Sequence, residues 1–157
     1  MKKERIEREM KELETKICYK FQDVSWLEKT MCSIKSEGNY LNDALATVGD
    51  AVLKLALADI IFSDGAKTKG EITQKKQNLE NNKTLYRTIM KEGIIDYAYN
   101  DKHFCKDEHV LEHEKVRFSK HDSYLEAIIG AVFYDSNYET VKEWIKDWLL
   151  PLLEKHK

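Results

Sequence analysis

The sequence is poor in residues that break helices or cross-link chains. Its 157 residues include one Pro, six Gly and three Cys. So few Pro and Gly residues favour a helical chain with no flexible linker, and the length fits one domain, which we place at residues 1–157. Cys18, Cys32 and Cys105 are too few and too scattered for a disulfide framework, which favours a reducing compartment.

Long apolar runs and a strong net charge are also lacking. No run reaches the roughly 18 apolar residues that a membrane-spanning helix requires, and residues 1–16 lack the apolar stretch of a secretory signal. We therefore predict a cytoplasmic protein with no membrane partner. Lys and Arg number 26 against 28 Asp and Glu, a net charge of −2 that gives no global attraction for nucleic acid. RNA binding would require a local basic patch.

The hydrophobic pattern predicts helices along the chain and no strands. Apolar residues recur at helical spacing, and no segment shows the alternation typical of a strand. We predict helices over residues 2–19, 24–36, 41–62, 69–81, 83–92, 123–134 and 138–155. Gly93 stands where a helix C-terminal glycine belongs. The charged segment 100–115 is the least predictable part, and the fold class is all-α.

The third predicted helix combines an apolar body with acidic residues. Residues 51–62, AVLKLALADIIF, are apolar on nearly every side, so neighbouring helices must cover them almost completely. Asp50 stands at the start of this segment. Asp43 precedes Asp50 by seven residues, close to two helical turns, so the two carboxylates project from the same face.

The segment 124–134 is a second apolar helix with acidic residues. Glu126 is its only charged residue, and Asp122 stands four residues earlier, on the same helical face. Two helices this apolar should pack on each other, and Gly130 offers a surface small enough for close approach. This packing would bring Glu126 close to Asp50.

Carboxylates gathered in one cleft are what a divalent cation needs. A set of oxygen ligands favours magnesium or manganese over zinc. The residues also allow a purely structural interpretation, in which Asp50 caps a helix after Gly49 and Glu126 pairs with a Lys. Residue spacing leaves the metal site and the structural pairing equally open.

Several segments resemble the ribonuclease III family. Residues 42–53, NDALATVGDAVL, resemble its signature helix, which centres on Gly-Asp-Ala-Val. Residues 126–136, EAIIGAVFYDS, are similar to its second signature, a Glu-Ala-x-x-Gly-Ala helix that ends in Asp-Ser. Further segments are similar to the family's other helices, namely 21–31, 70–73, 82–85 and 93–97. The resemblance spans about residues 15–150, in the family's order.

The resemblance implies an all-α bundle of the ribonuclease III endonuclease type. Such a domain forms a homodimer and cuts both strands of double-stranded RNA with Mg²⁺, for which Mn²⁺ is a substitute. Asp50 and Glu126 match two of the family's four acidic positions and are the expected catalytic residues and metal ligands. Asp43 and Asp122 are expected to assist in metal binding from the same helical faces.

The other two acidic positions of the family are Ala46 and Ser123 in this sequence. The pattern around Ala46 resembles the Mini-III branch, which has no separate double-stranded RNA-binding domain and works with a reduced acidic set. We therefore predict an endoribonuclease that acts in RNA processing. The competing hypothesis is a catalytically inactive scaffold or RNA-binding subunit with the same fold. An unrelated all-α module has little support, because several motifs match in order.

A group of lysines follows the third predicted helix. Lys67, Lys69, Lys75 and Lys76 form a basic patch suited to duplex phosphates, and a solvated helix face explains them equally well.

A His and Cys cluster is a weaker candidate site. His109 and His113 have the i, i+4 spacing that can bind zinc on a helix, and His103 and Cys105 stand nearby. The segment is highly charged, and no second pair of Cys accompanies it. The sequence therefore favours an exposed segment over a zinc site.

Overall fold

The computed structural model describes residues 2–113 and 123–157. These residues form mostly helices joined by short connections. The helices are α1 (Lys3–Ile17), α2 (Ser25–Met31), α3 (Asp43–Ser63), α4 (Lys69–Glu80), α5 (Asn82–Lys91), α6 (Tyr124–Asp135), α7 (Tyr138–Trp144) and α8 (Leu150–His156). A 3₁₀ turn spans Ile94–Tyr97, directly after Gly93, whose φ of 71° is left-handed as a C-terminal glycine requires. The all-α prediction is confirmed.

One small hairpin departs from the prediction of no strands. Strands β1 (Lys35–Ser36) and β2 (Asn39–Tyr40) pair in antiparallel register. Glu37 and Gly38 join them with φ values of 53° and 84°, the left-handed pair that matches the twist of a two-residue hairpin. Strands of two residues are too short to produce a sequence pattern.

Helix α2 ends earlier than the predicted boundary at residue 36. The chain after Met31 is extended and pairs with Tyr99 instead of continuing the helix. Ser33 N donates to the Tyr99 carbonyl at 2.7 Å, and Tyr99 N donates to the Met31 carbonyl at 3.0 Å. This exchange with a distant residue satisfies backbone groups that helical hydrogen bonds would otherwise use.

The last predicted helix, 138–155, is helical but not uniform. It widens into a π-helical turn over Ile145–Leu149 between α7 and α8. Pro151 lies in the first turn of α8. Proline lacks a backbone N–H, and its ring would clash with the carbonyl four residues earlier, so the wider turn accommodates it.

Helices α3 and α6 form the centre of the fold and touch through their backbones. A Cβ added at Gly49 would lie 1.6 Å from the carbonyl oxygen of Glu126. A Cβ added at Gly130 would lie 2.3 Å from the carbonyl oxygen of Leu45. The predicted packing of these helices through Gly130 is confirmed, with Gly49 as its counterpart on α3.

Charged contacts hold α1 against the segment after the 3₁₀ turn. Arg5 donates two hydrogen bonds to the Asp107 carboxylate, at 3.1 and 2.5 Å, and its guanidinium lies 4.6 Å from the centre of the Phe104 ring. Glu9 forms an ion pair with Lys106. The N-terminal helix is therefore attached to the body by ionic as well as apolar contacts.

Two expectations from the sequence concern membrane-spanning helices and disulfides. Across residues 2–113 and 123–157, no helix is both long and apolar enough to cross a membrane. Cys18 is exposed, Cys32 and Cys105 are buried, and none of the three forms a disulfide.

Candidate active site

Asp50 lies well inside α3, so it is not a helix cap. The helix begins seven residues earlier, at Asp43. Lys54, one turn further along, donates a hydrogen bond from Nζ to Oδ1 of Asp50 at 2.5 Å. This bond holds the pKa of Asp50 below its ordinary value, although partial burial acts in the opposite direction.

Glu126 reaches the same place from the first turn of α6. Its side chain interacts with that of Asp50, and this interaction also holds the pKa of Asp50 below its ordinary value. Since the backbone contact at Gly49 fixes α3 against α6, the positions of both carboxylates are set by the main chain. The structure therefore brings together the two residues that the sequence predicts as catalytic.

Helix α4 contributes a second pair of charges to this cleft. Lys76 donates from Nζ to Glu80 at 3.0 and 3.2 Å. The positive charge of Lys76 acts on Asp50, and the negative charge of Glu80 acts on Lys54. The side chains of Asp50, Glu126, Glu80, Lys54 and Lys76 are called the charge cluster below.

Sequence reasoning missed Lys54 and Glu80. A signal for Lys54 was present, because only it and Asp59 carry charge in the apolar segment 51–62, and it stands one turn after Asp50. Glu80 had no local signal. It reaches the cluster because α4 packs beside α3, which residue spacing along the chain does not reveal.

An apolar wall stands where the family has a further acidic residue. Ala46 is buried in a small cluster with Leu45 and Ala127, and Trp26 packs against this cluster. The ring of Trp26 stacks on Tyr134, with centroids 5.5 Å apart and planes at 16°. Ala46 itself therefore contributes no carboxylate to the site.

The predicted assisting acids are less closely connected with the cleft. Asp43 accepts a hydrogen bond from Tyr40 N at 3.2 Å, so its carboxylate ties the start of α3 to the hairpin. Asp43 precedes Asp50 by seven residues, so the two residues lie about 10 Å apart along the helix axis. Asp122 lies outside the described residues. Metal binding by Asp43 and Asp122 stays a prediction.

The four predicted RNA-binding lysines fall into two groups. Lys67, Lys69 and Lys75 are exposed before and along α4. Lys76 is partly buried and paired with Glu80, and its positive charge acts on Asp50. The exposed three remain candidates for phosphate contact, whereas Lys76 belongs to the charge cluster.

The His and Cys cluster lacks the helix on which its zinc prediction depended. His109 lies in a turn, so it and His113 do not share a helical face. His103 and Cys105 are buried, contrary to the expectation of an exposed segment, and the rings of His103 and His109 lie 5.5 Å apart. Within the described ranges, no group of three or more His, Cys, Asp or Glu side chains is placed to hold a metal ion.

The chemistry of Asp50 and Glu126 nevertheless suits one hard cation. Protein sites for Mg²⁺ often supply one or two carboxylates, while water and substrate phosphate complete the coordination. Two convergent carboxylates in a partly exposed cleft fit that pattern.

The Asp-Ser end of the second signature has a structural role. Asp135 accepts hydrogen bonds from the Tyr19 hydroxyl at 2.7 Å and from the backbone N–H groups of Gln22 and Asp23 at 2.9 Å each. Burial, followed by the bond to Asp135, raises the pKa of Tyr19 to about 12. Asp135 thus fixes the loop that leads into α2, the helix that carries Trp26.

Fold and site together define a class of protein: an all-α domain whose two central helices touch through glycine and each present a carboxylate to one cleft. The ribonuclease-III-like family model matches residues 27–153. The chain belongs to this family, as the sequence motifs predicted.

Curated relatives and solved structures agree with this assignment. The chain is 29% identical over 150 residues to ribonuclease 3 of Aliivibrio fischeri, covering 92% of this chain and 63% of the relative. It is 28% identical over 144 residues to ribonuclease 3 of Pseudoalteromonas translucida, covering 91% and 61%. The chain therefore spans less than two thirds of the length of these relatives.

A similar fold has been solved for a nuclease domain of ribonuclease III from Campylobacter jejuni. That structure, described for flexibility in its region involved in dimer formation, superposes with a TM-score of 0.68 and 26% identity. The match covers 92% of this chain and 95% of that chain.

Proposed function

We propose that the protein is an endoribonuclease of the ribonuclease III type that cuts double-stranded RNA with Mg²⁺ or Mn²⁺ as a homodimer in the cytoplasm. The observation that carries this proposal is the convergence of Asp50 and Glu126 where α3 meets α6.

The chain's own residues perform three tasks in this reaction. Asp50 and Glu126 would hold the cation, which when bound supplies the charge that activates water and stabilises the leaving oxygen. The Lys54 ammonium lies at the Asp50 carboxylate and adds positive charge beside the scissile phosphate. The backbone contact at Gly49 keeps both carboxylates in place without rearrangement.

The exposed lysines along α4 suit contacts with the RNA backbone. Lys69 and Lys75 lie on the helix that also contributes Lys76 and Glu80 to the charge cluster, and Lys67 lies just before it. A-form duplexes are recognised largely by shape, through phosphates and 2′-hydroxyls. Lysines that contact phosphates position such a substrate without reading its sequence.

A homodimer is supported by an exposed apolar stripe on α3. Ala51, Leu55 and Phe62 are four and seven residues apart, which places them on one helical face. Leu55 is 56% exposed and Phe62 is 62% exposed. Exposed apolar patches of this kind mark interfaces, and a second copy of this chain is the proposed occupant.

The dimer is tested by adding charge to this stripe. We expect the wild-type protein to sediment as a dimer and Leu55→Glu or Phe62→Glu to sediment as a monomer. Leu111, which is 57% exposed, provides a control, and Leu111→Glu should remain dimeric. A wild-type monomer at micromolar concentration, or dimeric Leu55→Glu and Phe62→Glu variants, would contradict the proposal.

The nuclease activity is tested with purified protein, duplex RNA and Mg²⁺. We expect cutting by the wild type and a loss of at least about a hundredfold in Asp50→Asn and Glu126→Gln, the scale of removing one charge-stabilising group. Asp59→Asn is the matched control, because Asp59 also lies on α3 and pairs with Lys142, away from the cleft. Circular dichroism should show the same fold in all variants.

A non-catalytic RNA-binding or scaffold subunit is the second candidate. The apolar wall at Ala46 and the absence of an acid at Ser123 favour it, because two of the family's acidic positions are unfilled. If the wild-type protein binds duplex RNA but never cuts it with Mg²⁺ or Mn²⁺, this candidate replaces the nuclease.

A further inference from the structure

An open cavity lies where the start of α1 meets the segment after the 3₁₀ turn. Its volume is about 580 Å³, within the roughly 300–1,000 Å³ that is typical of small-molecule sites. The side chains that line it are mostly cationic, namely Lys2, Glu4, Arg5, Arg8 and Lys102. Four cations and one carboxylate therefore surround a single cavity, and none of these residues belongs to the charge cluster.

Helix α1 brings three of the cations to one side of the cavity. Lys2, Arg5 and Arg8 follow one another at intervals of three residues, which places their side chains on neighbouring positions of one helical side. From Lys2 to Arg8 they extend over about 9 Å of the helix axis. Lys102 completes the lining from the segment that follows the 3₁₀ turn.

Arg5 is the fixed cation of this lining. It donates two hydrogen bonds to Asp107, at 3.1 and 2.5 Å, and its guanidinium lies 4.6 Å from the centre of the Phe104 ring. A guanidinium carries further N–H groups beyond these two, and the side chain of Arg5 is 31% exposed. The contacts with Asp107 and Phe104 therefore orient the guanidinium in advance and leave it accessible to a ligand, which reduces the entropy lost on binding.

The other three cations are exposed and are not held by a carboxylate. Across residues 2–113 and 123–157, the side chains of Lys2, Arg8 and Lys102 form no ion pair. Glu4 and the Asp107 carboxylate offset two of the four positive charges, so two remain in excess. Cations gathered at a concave surface attract anions and raise their local concentration.

The chemistry of the lining suits a compact anion with several phosphate groups. The planar forks of Arg5 and Arg8 match the geometry of phosphate oxygens, and the two lysines add compact positive charges. Each phosphodiester of an RNA strand carries one negative charge, and successive phosphodiesters are separated by a sugar. A chain of directly linked phosphates concentrates its charge in one place, as four convergent cations require.

We propose that this cavity is an anion-binding site that takes a polyphosphate chain, either free or as the triphosphate of a nucleotide or of an RNA 5′ end. Arg5 orients the chain, and Lys2, Arg8 and Lys102 supply the excess positive charge. The site shares no residue with the charge cluster, so it does not depend on the proposed nuclease activity.

The first test is calorimetric titration of the full chain with sodium tripolyphosphate in the absence of divalent cations. We expect one site per chain, weakened roughly three- to tenfold by Arg8→Gln or by Lys102→Gln and further by the double variant. Lys16→Gln is the matched control, because Lys16 is an exposed cation of α1 outside the lining, about 12 Å beyond Arg8 along the axis. Lys16→Gln should retain the wild-type affinity, and circular dichroism confirms that each variant is folded.

The second test identifies the source of the polyphosphate. Two duplex RNAs of one sequence, with a 5′-triphosphate or a 5′-hydroxyl, are compared for affinity without divalent cations. Tighter binding of the triphosphate RNA, lost in the Arg8→Gln/Lys102→Gln double variant, would support an RNA end as the ligand. Equal affinity for both RNAs, together with tripolyphosphate binding, would support a free polyphosphate or nucleotide.

Two results would overturn the site. One is the lack of saturable tripolyphosphate binding by the wild-type protein. The other is a loss of affinity in Lys16→Gln as large as that in Arg8→Gln, since binding would then follow the net charge of the protein and not the cavity. Failure of the protein to cut RNA would leave both binding measurements unchanged, so the two proposals can fail separately.

Discussion

Replacing Gly49 with Ala perturbs the contact on which the candidate site depends. The new Cβ would lie 1.6 Å from the carbonyl oxygen and 2.6 Å from the carbonyl carbon of Glu126, and 3.0 Å from the Gly130 nitrogen. These are backbone atoms of a helix, so no side-chain rotation can relieve the overlap. Ordinary contact requires α3 and α6 to separate by roughly 2 Å, which disturbs a close-packed interior.

The expected cost can be set against a matched substitution. Overpacking a protein interior typically lowers the free energy of unfolding by about 1–3 kcal/mol. Because the overlap is with rigid backbone, we expect Gly49→Ala to cost about 3 kcal/mol, after the gain in helix propensity from Gly to Ala is subtracted. A Cβ at Gly70, in the first turn of α4, meets nothing closer than the Thr68 hydroxyl at 4.0 Å. Gly70→Ala should therefore stabilise the protein by up to about 1 kcal/mol.

Thermal unfolding followed by circular dichroism measures both effects. For a domain of this size, each kcal/mol shifts Tm by about 2–4 °C, so Gly49→Ala should lower Tm by about 6–12 °C and Gly70→Ala should raise it slightly. A Tm of Gly49→Ala within a degree or two of wild type would refute the backbone contact. An equal loss in Gly70→Ala would show that the effect does not depend on α6.

Three further predictions concern other contacts. Arg5 holds the pKa of the Asp107 carboxyl below its ordinary 3.8, so the ion pair stabilises the fold fully above about pH 4 and is lost as the pH falls through the lower pKa of the folded state. Asp107→Asn should therefore lower the free energy of unfolding, measured in urea, by about 2 kcal/mol at neutral pH. This difference should shrink below about pH 4, and a difference that persists there would contradict the ion pair. Asp135→Asn leaves at least one donor of the loop without an acceptor and should cost about 1–3 kcal/mol, whereas an unchanged Tm would contradict the anchoring role. Ala46→Glu should cost about 2 kcal/mol through overpacking against Trp26, and Trp26→Ala in the same chain should recover part of it; full additivity of the two losses would contradict the contact.

The central part of the fold was predictable because its physical requirements are local. Segments 51–62 and 124–134 are apolar all round, so each needs a close neighbour, and Gly130 marks where backbones can touch. The convergence of Asp50 and Glu126 follows from that packing. The Asp50–Lys54 pair also had a local origin in its i, i+4 spacing, although the sequence interpretation did not use it.

The parts that were not predicted depend on contacts between distant residues. Helix α2 stops at Met31 because the chain there pairs with Tyr99, which is far away in the sequence. Glu80 enters the charge cluster only because α4 lies beside α3. Periodicity describes the face of one helix, and it contains no information about which other segment will reach that face.

Because of the contact between Gly49 and the Glu126 carbonyl, the geometry of the site does not depend on the side chains of the surrounding core. When two helices meet through side chains, each exchange of Leu for Ile or Val alters their separation and moves whatever they carry. Here the separation is set by main-chain atoms, which are the same in every sequence that keeps both glycines. Substitutions among the surrounding apolar residues should therefore leave the distance between the two carboxylates unchanged.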